Sequence, residues 1–214
     1  MPPVTPPSES SPIDARSLAA WRSWLVALAT DSEAALSAAF AYEALDAAGR
    51  DLWLAALDED ARCVDVPRIA LYAPLLGVEN DEQRRARIEA AMGEAPADAV
   101  GRGAARALRG TTPGGDVVVV LVLPLYLDFV HEVSCRVSAR EGFVWVRHEP
   151  LVGRDASSLE GLSIEGASLE AVPLRPVVDE IARAVLDHRR AGRALPSELV
   201  PFATLLDASD GGEP

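Results

Sequence analysis

The stretch DVVVVLVLPLYLDFVHEVSCRV, Asp116–Val137, decides how this chain is read, because it joins an eleven-residue apolar run, Val117–Leu127, to a histidine, a glutamate and a cysteine. A membrane-spanning helix needs roughly 20 apolar residues, and this run has little more than half of that. Its first half is β-branched and it contains Pro124, so it reads as a strand in a protein core. Residues 129–138 and 143–149 then alternate in the strand manner around Ala139, Arg140, Glu141 and Gly142, a four-residue loop whose glycine suits a positive φ. The segments together predict an antiparallel meander of at least three strands.

Closing that loop with Ser138 and Phe143 places Val137 opposite Val144, Cys135 opposite Val146 and Val133 opposite His148. Phe129, Val133, Val137, Val144 and Val146 then share an inward face, while Glu132, Ser134, Arg136, Trp145 and Arg147 share a face expected in solvent. The inward face also receives His131, Cys135 and His148, with the first two diagonal to His148 at roughly 7–8 Å between backbones. Two imidazoles and a thiolate suit zinc or copper, and a histidine beside a cysteine can activate a nucleophile, which gives one functional reading. Against it, His131 and Cys135 are four residues apart on one strand, about 13 Å, too far for ready sharing of one ion. HEVSC, His131–Cys135, is not the HExxH of zinc proteases, since it has neither the helix nor the second histidine.

Upstream, Leu18, Trp21, Leu25 and Leu28 recur at helical spacing after Ser11 and Pro12, a cap and a first-turn residue. Thr30 or Asp31 caps a second helix with Leu36, Phe40 and Leu45, and Gly49 separates it from a third with Leu52, Trp53 and Leu57. Residues 65–79 predict a fourth helix in which Pro74 makes a kink or break, and residues 80–94 a fifth. Residues 96–110 look like a weaker helix, on one face of which Arg102, Arg106 and Arg109 would fall at i, i+4 and i+7. The breakers from Thr111 to Gly115 then mark a change of architecture.

Beyond the hairpin, SLEGL, SIEGA and SLEAV, Ser158–Val172, repeat a glutamate every fifth residue, at Glu160, Glu165 and Glu170. Fifteen residues are too few for a repeat core, so a surface loop with short turns is expected. Residues 173–190 predict an amphipathic helix, and Ser197 caps a short last one.

Composition narrows the function. All 20 basic residues are arginine, which points to a bacterial, GC-rich genome and removes every chemistry that needs a lysine, Walker and Schiff-base types included. The net charge of −13 divides almost evenly around Gly110, so neither half is a nucleic-acid module. GRGAAR, Gly101–Arg106, lacks the last glycine of a dinucleotide loop, and GLSIEG, Gly161–Gly166, fails the nucleophile-elbow pattern at Glu165. The start has no charged and apolar leader pattern, and two cysteines in 214 residues suit a reducing, cytoplasmic compartment.

The expectation is an α+β fold, with a helical N-terminal half followed by an antiparallel meander covered by C-terminal helices. Residues 1–11 would form a disordered arm, 12–110 a helical region, 111–207 an α+β region sharing its core, and 208–214 a disordered tail. The leading functional expectation is a non-catalytic acidic protein-binding protein without cofactor: an adaptor, immunity-type inhibitor or secretion chaperone. Its partner would be a protein, preferably basic, and neither nucleic acid nor membrane. Glu160, Glu165, Glu170, Arg102, Arg106 and Arg109 are its candidate contact residues. The alternative is a small metal-binding protein or enzyme built on His131, Cys135 and His148.

Overall fold

A computed structural model describes residues 15–93, 104–157 and 159–202. The expectations for the arm 1–11, for Ser11 and Pro12, for Arg102 and for the tail 208–214 lie outside those residues. The fold is α+β: helices first, an antiparallel sheet in the middle, and a C-terminal helix. Among the described residues no helix is long and apolar enough to cross a membrane.

Five helices open the chain: α1 (Ala15–Ala27), α2 (Ser32–Glu43), α3 (Ala47–Asp60), α4 (Arg68–Leu76) and α5 (Glu82–Met92). Their leucines and tyrosines, Leu25, Leu54, Leu71, Tyr42 and Tyr72 among them, close one core. Trp21 and Trp24 meet Trp53 edge to face at 5.5 and 6.0 Å, and each other tilted at 5.3 Å, beside that core. Asp31 caps α2 as expected, accepting from the backbone N–H groups of Glu33 and Ala34. Two details differ from the sequence reading. Asp46, not Gly49, starts α3, because its carboxylate accepts from the N–H of Gly49 inside the first turn. Pro74 does not end α4, which continues to Leu76 with the proline ring buried.

The sheet has the order β4-β3-β2-β1-β7 and is antiparallel throughout: β1 (Arg106–Thr111), β2 (Val117–Pro124), β3 (Phe129–Ser138), β4 (Gly142–Gly153) and β7 (Glu170–Val172). A two-residue pair, β5 (Ser163–Ile164) and β6 (Ala167–Ser168), stands apart from it. One face of the sheet packs on α6 (Leu174–Arg190) through Val119, Leu121, Val133 and Cys135 against Val177, Ile181 and Ala184. A 3-10 helix, Ser197–Phe202, adds Leu199 and Phe202 to that layer.

The other face is not solvated. Leu108, Val118, Val120, Val122 and Val130 are covered by Ala167, Leu169, Leu159 and Ile164, so the glutamate-repeat segment is a second layer. The hairpin register holds from Glu132↔Glu149 to Arg136↔Trp145. Near the turn it slips: Val137 pairs with Phe143 rather than Val144, which bulges outward at 46% exposure.

The expected helix around Arg106 and Arg109 is instead β1. Ala107 and Leu108 are both buried, one on each covered face, so the strand lacks the period-2 alternation that would announce it. Gly110 is required in β1, since a Cβ there would lie 2.5 Å from the Ser168 carbonyl oxygen of β6.

Candidate functional site

Three groups of polar side chains could carry function: the histidines of the hairpin, a buried carboxylate among the helices, and a cleft where the two halves meet.

The histidines come together because β3 and β4 lose register between Val130 and Glu132, leaving His131 without a direct partner on β4. The rings of His131 and His148 are 5.9 Å apart, and Phe202 stacks on the first at 4.8 Å and meets the second edge-on at 5.2 Å. Nε2 of His148 is buried without a hydrogen-bond partner. Burial, and then the neighbouring His148, pushes the His131 pKa below its ordinary value. Burial does the same to His148, against the opposing charges of Glu149 and Glu198.

Cys135 does not join the two imidazoles as a third ligand. It is fully buried in the layer under α6, and burial, followed by the charge of Glu180, raises its thiol pKa to about 12. Among the described residues no group of three or more His, Cys, Asp or Glu side chains is arranged to hold a metal ion. The alternative reading grouped His131, Cys135 and His148, and the thiol lies under α6, four positions along β3 from His131.

Sequence reasoning did not single out Glu79, the most heavily bonded carboxylate among the helices. Its side chain is fully buried and accepts from Tyr42 Oη, Arg50 Nη1, Arg84 Nε and the N–H groups of Asn80 and Asp81. Burial alone would raise its pKa, but Arg84, Tyr42 and the backbone donors outweigh it and leave the carboxyl at about 2. The donors come from three helices and a turn, an arrangement with no local sequence signature. Glu79 is a structural knot, closed to any ligand.

The candidate contact residues are scattered. Arg109 forms a two-bond pair with Glu180 of α6 at 3.0 and 3.2 Å, whereas Arg106 donates to Ser157 Oγ. Glu165 sits at φ +50 in the β5–β6 turn beside Gly166 at φ +82, a two-residue hairpin turn of the favoured twist. Its carboxylate accepts from Arg136 at 2.8 Å, and that bond holds its pKa low. Glu160 and Glu170 are exposed, the first in a turn and the second on the edge strand β7.

The cleft, of about 500 Å³, lies between the α1–α2 loop, the β2–β3 turn and the loop after β4. Ala29 and Thr30 form the wall on the helical side, in the turn after α1, where their N–H groups donate to the Val26 and Ala27 carbonyls. Asp128, Phe129, Gly153, Arg154, Asp155 and Ala156 form the rest. Leu127, beside it, has φ +48, a left-handed conformation that costs a leucine on the order of 1–2 kcal/mol. The floor is rigid: Arg154 N–H donates to the Asp128 carbonyl at 2.8 Å, and Ser157 Oγ, held by Arg106, donates to the Arg154 carbonyl at 2.9 Å. Arg106 thus braces the cleft.

These features define an α+β protein with a cleft at the junction of its helices and sheet. Comparison with protein-family models, with curated proteins and with solved structures gave no match.

Proposed function

We propose that the chain is a non-catalytic protein-binding protein with a basic partner, working in the cytoplasm as an acidic adaptor, immunity-type inhibitor or secretion chaperone. One observation supports this reading above others: many of the arginines are already paired with carboxylates of the same chain, and the 33 acids outnumber the 20 arginines. At least nine arginines among the described residues pair with carboxylates of the same chain. Glu160 and Glu170 stay exposed, and the whole chain carries −13. A partner thus meets a predominantly negative surface, which speeds the encounter with a basic protein and selects against acidic ones. The two free cysteines, Cys63 and Cys135, suit a reducing compartment.

The test is capture from the native host, followed by association kinetics with the purified partner. A basic partner is expected, whose association rate falls as salt is raised from about 0.05 to 0.5 M and falls again, at unchanged Tm, in a Glu160→Gln/Glu170→Gln variant. A partner whose association ignores both salt and the substitutions would refute the reading.

A further inference from the structure

We infer that the junction cleft binds a basic amino acid through its free α-carboxylate. This goes beyond the protein-binding reading and does not depend on it. The first observation is Arg154. One of its terminal nitrogens, Nη2, is buried with no hydrogen-bond partner. Its nearest carboxylate, Asp128, lies 3.7 Å from Nε, beyond hydrogen-bond length, and is itself 72% exposed. The side chain as a whole is 28% exposed at the cleft wall, so the accessible edge of its guanidinium can give a ligand carboxylate the charge-assisted bond that Asp128 does not take up.

The second observation is the sign of the rim. Asp128 and Asp155 both line the cleft, so a simple anion would face two carboxylates for one guanidinium. A ligand with one carboxylate and two cationic groups reverses that balance: the carboxylate meets Arg154, and the cations meet Asp128 and Asp155. Ala29 and Ala156 offer an apolar wall for the methylene stem of an arginine or lysine. The volume of about 500 Å³ is ample for one such residue, and the position at a junction of two structural layers is where ligand sites concentrate. A free arginine or lysine presents both cations together with the carboxylate, whereas the C-terminal residue of a polypeptide, its α-nitrogen an amide, presents only the side-chain cation.

The experiment titrates the full chain with L-arginine, N-acetyl-L-arginine and L-argininamide, read by calorimetry and by amide shifts of Ala29, Thr30 and Gly153. L-arginine should bind, and argininamide, which lacks the carboxylate, should bind at least about tenfold more weakly. Arg154→Gln should weaken L-arginine by a similar factor at unchanged Tm. Should that variant melt early, the argininamide comparison in the unmodified protein decides alone. N-acetyl-L-arginine, which lacks the α-ammonium, tests the second cation: weakened binding assigns the free amino acid, and binding as tight as that of L-arginine would overturn the two-cation match. No response of the three amides to any probe at about 10 mM, or equal binding of L-arginine and argininamide, would overturn the proposal.

Discussion

Glu79 in the helical half and the His131–His148 pair in the sheet half both bury polar atoms, and the two places handle them in opposite ways. Glu79 is met by five donors from Tyr42, Arg50, Arg84, Asn80 and Asp81, and stays ionised. The histidines are met by each other and by the ring of Phe202, and Nε2 of His148 has no partner. One place stabilises a charge and the other tolerates none. A buried charge holds a fold together only when its whole bonding capacity is used, and a half-used site becomes a weak point under conditions that charge it.

The largest effect that can break this comparison is expected at Glu79. Glu79→Gln keeps the shape but removes the charge and turns one of the two acceptor oxygens into an NH2 that faces donors, so that Arg50 or Arg84 loses its acceptor, at a cost of about 3 kcal/mol, which for a chain of this size lowers Tm by roughly 6–12 °C. A drop of under about 2 °C in calorimetry would mean that the knot contributes little.

Acid should remove the two places in sequence. The folded-state pKa values of His131 and His148 are below the unfolded value, so the unfolded chain takes up protons first and stability falls as pH drops below about 6.5. The carboxyl of Glu79 is also depressed, to about 2, so its contribution is complete above about 4.5 and is lost as pH falls from there toward 2. Thermal melts between pH 8 and 2 are therefore expected to show two separate declines, the first of which His148→Phe should reduce. At pH 8 the same substitution should leave Tm unchanged or raise it by an amount equivalent to about 1 kcal/mol, because it deletes an unsatisfied nitrogen beside an aromatic ring. A loss as large as that of Glu79→Gln would show that His148 has a partner after all.

The smallest effect concerns Glu132, whose pKa is raised by burial and by Glu149 directly across the β3–β4 ladder. Its charged form is the disfavoured one, opposite in sign to Glu79. Glu132→Gln should raise stability at pH 7 by about 0.2–1 kcal/mol, the scale of a like-charge pair across two strands, and a measurable loss would reverse that assignment.

How much of this was legible in the sequence follows from how local each signal is. The hairpin is readable because Phe129–Ser138 alternates and Gly142 marks the turn, and its register departs at Val144, where a bulge depends on packing beneath α6, and again between Val130 and Glu132 at the open end. The sequence of β1 reads as a helix because Ala107 and Leu108 are each buried on opposite faces, which erases alternation. The solvated face was misjudged for a related reason: its cover, Leu159–Leu169, comes from a segment with the look of a surface loop. The hairpin register carries the closeness of His131 to His148 but not Phe202 as their lid, which arrives from the far end of the chain. Glu79 and the cleft draw on three or more elements each, so no spacing in the chain announces them. The nearest signal for the cleft is the pair of turns Leu127-Asp128 and Gly153-Arg154-Asp155, which juxtapose charge and bends.

The division between a fully bonded carboxylate and an unsatisfied imidazole is tested most directly by a proton NMR titration of the His131 and His148 rings in the full chain. Both resonances are expected to titrate with midpoints below 6.5, the ordinary value, as burial dictates. Midpoints at or above 6.5 for both rings would contradict the account, since they would show that the sheet half, like Glu79 in the helical half, supplies partners for the charged form.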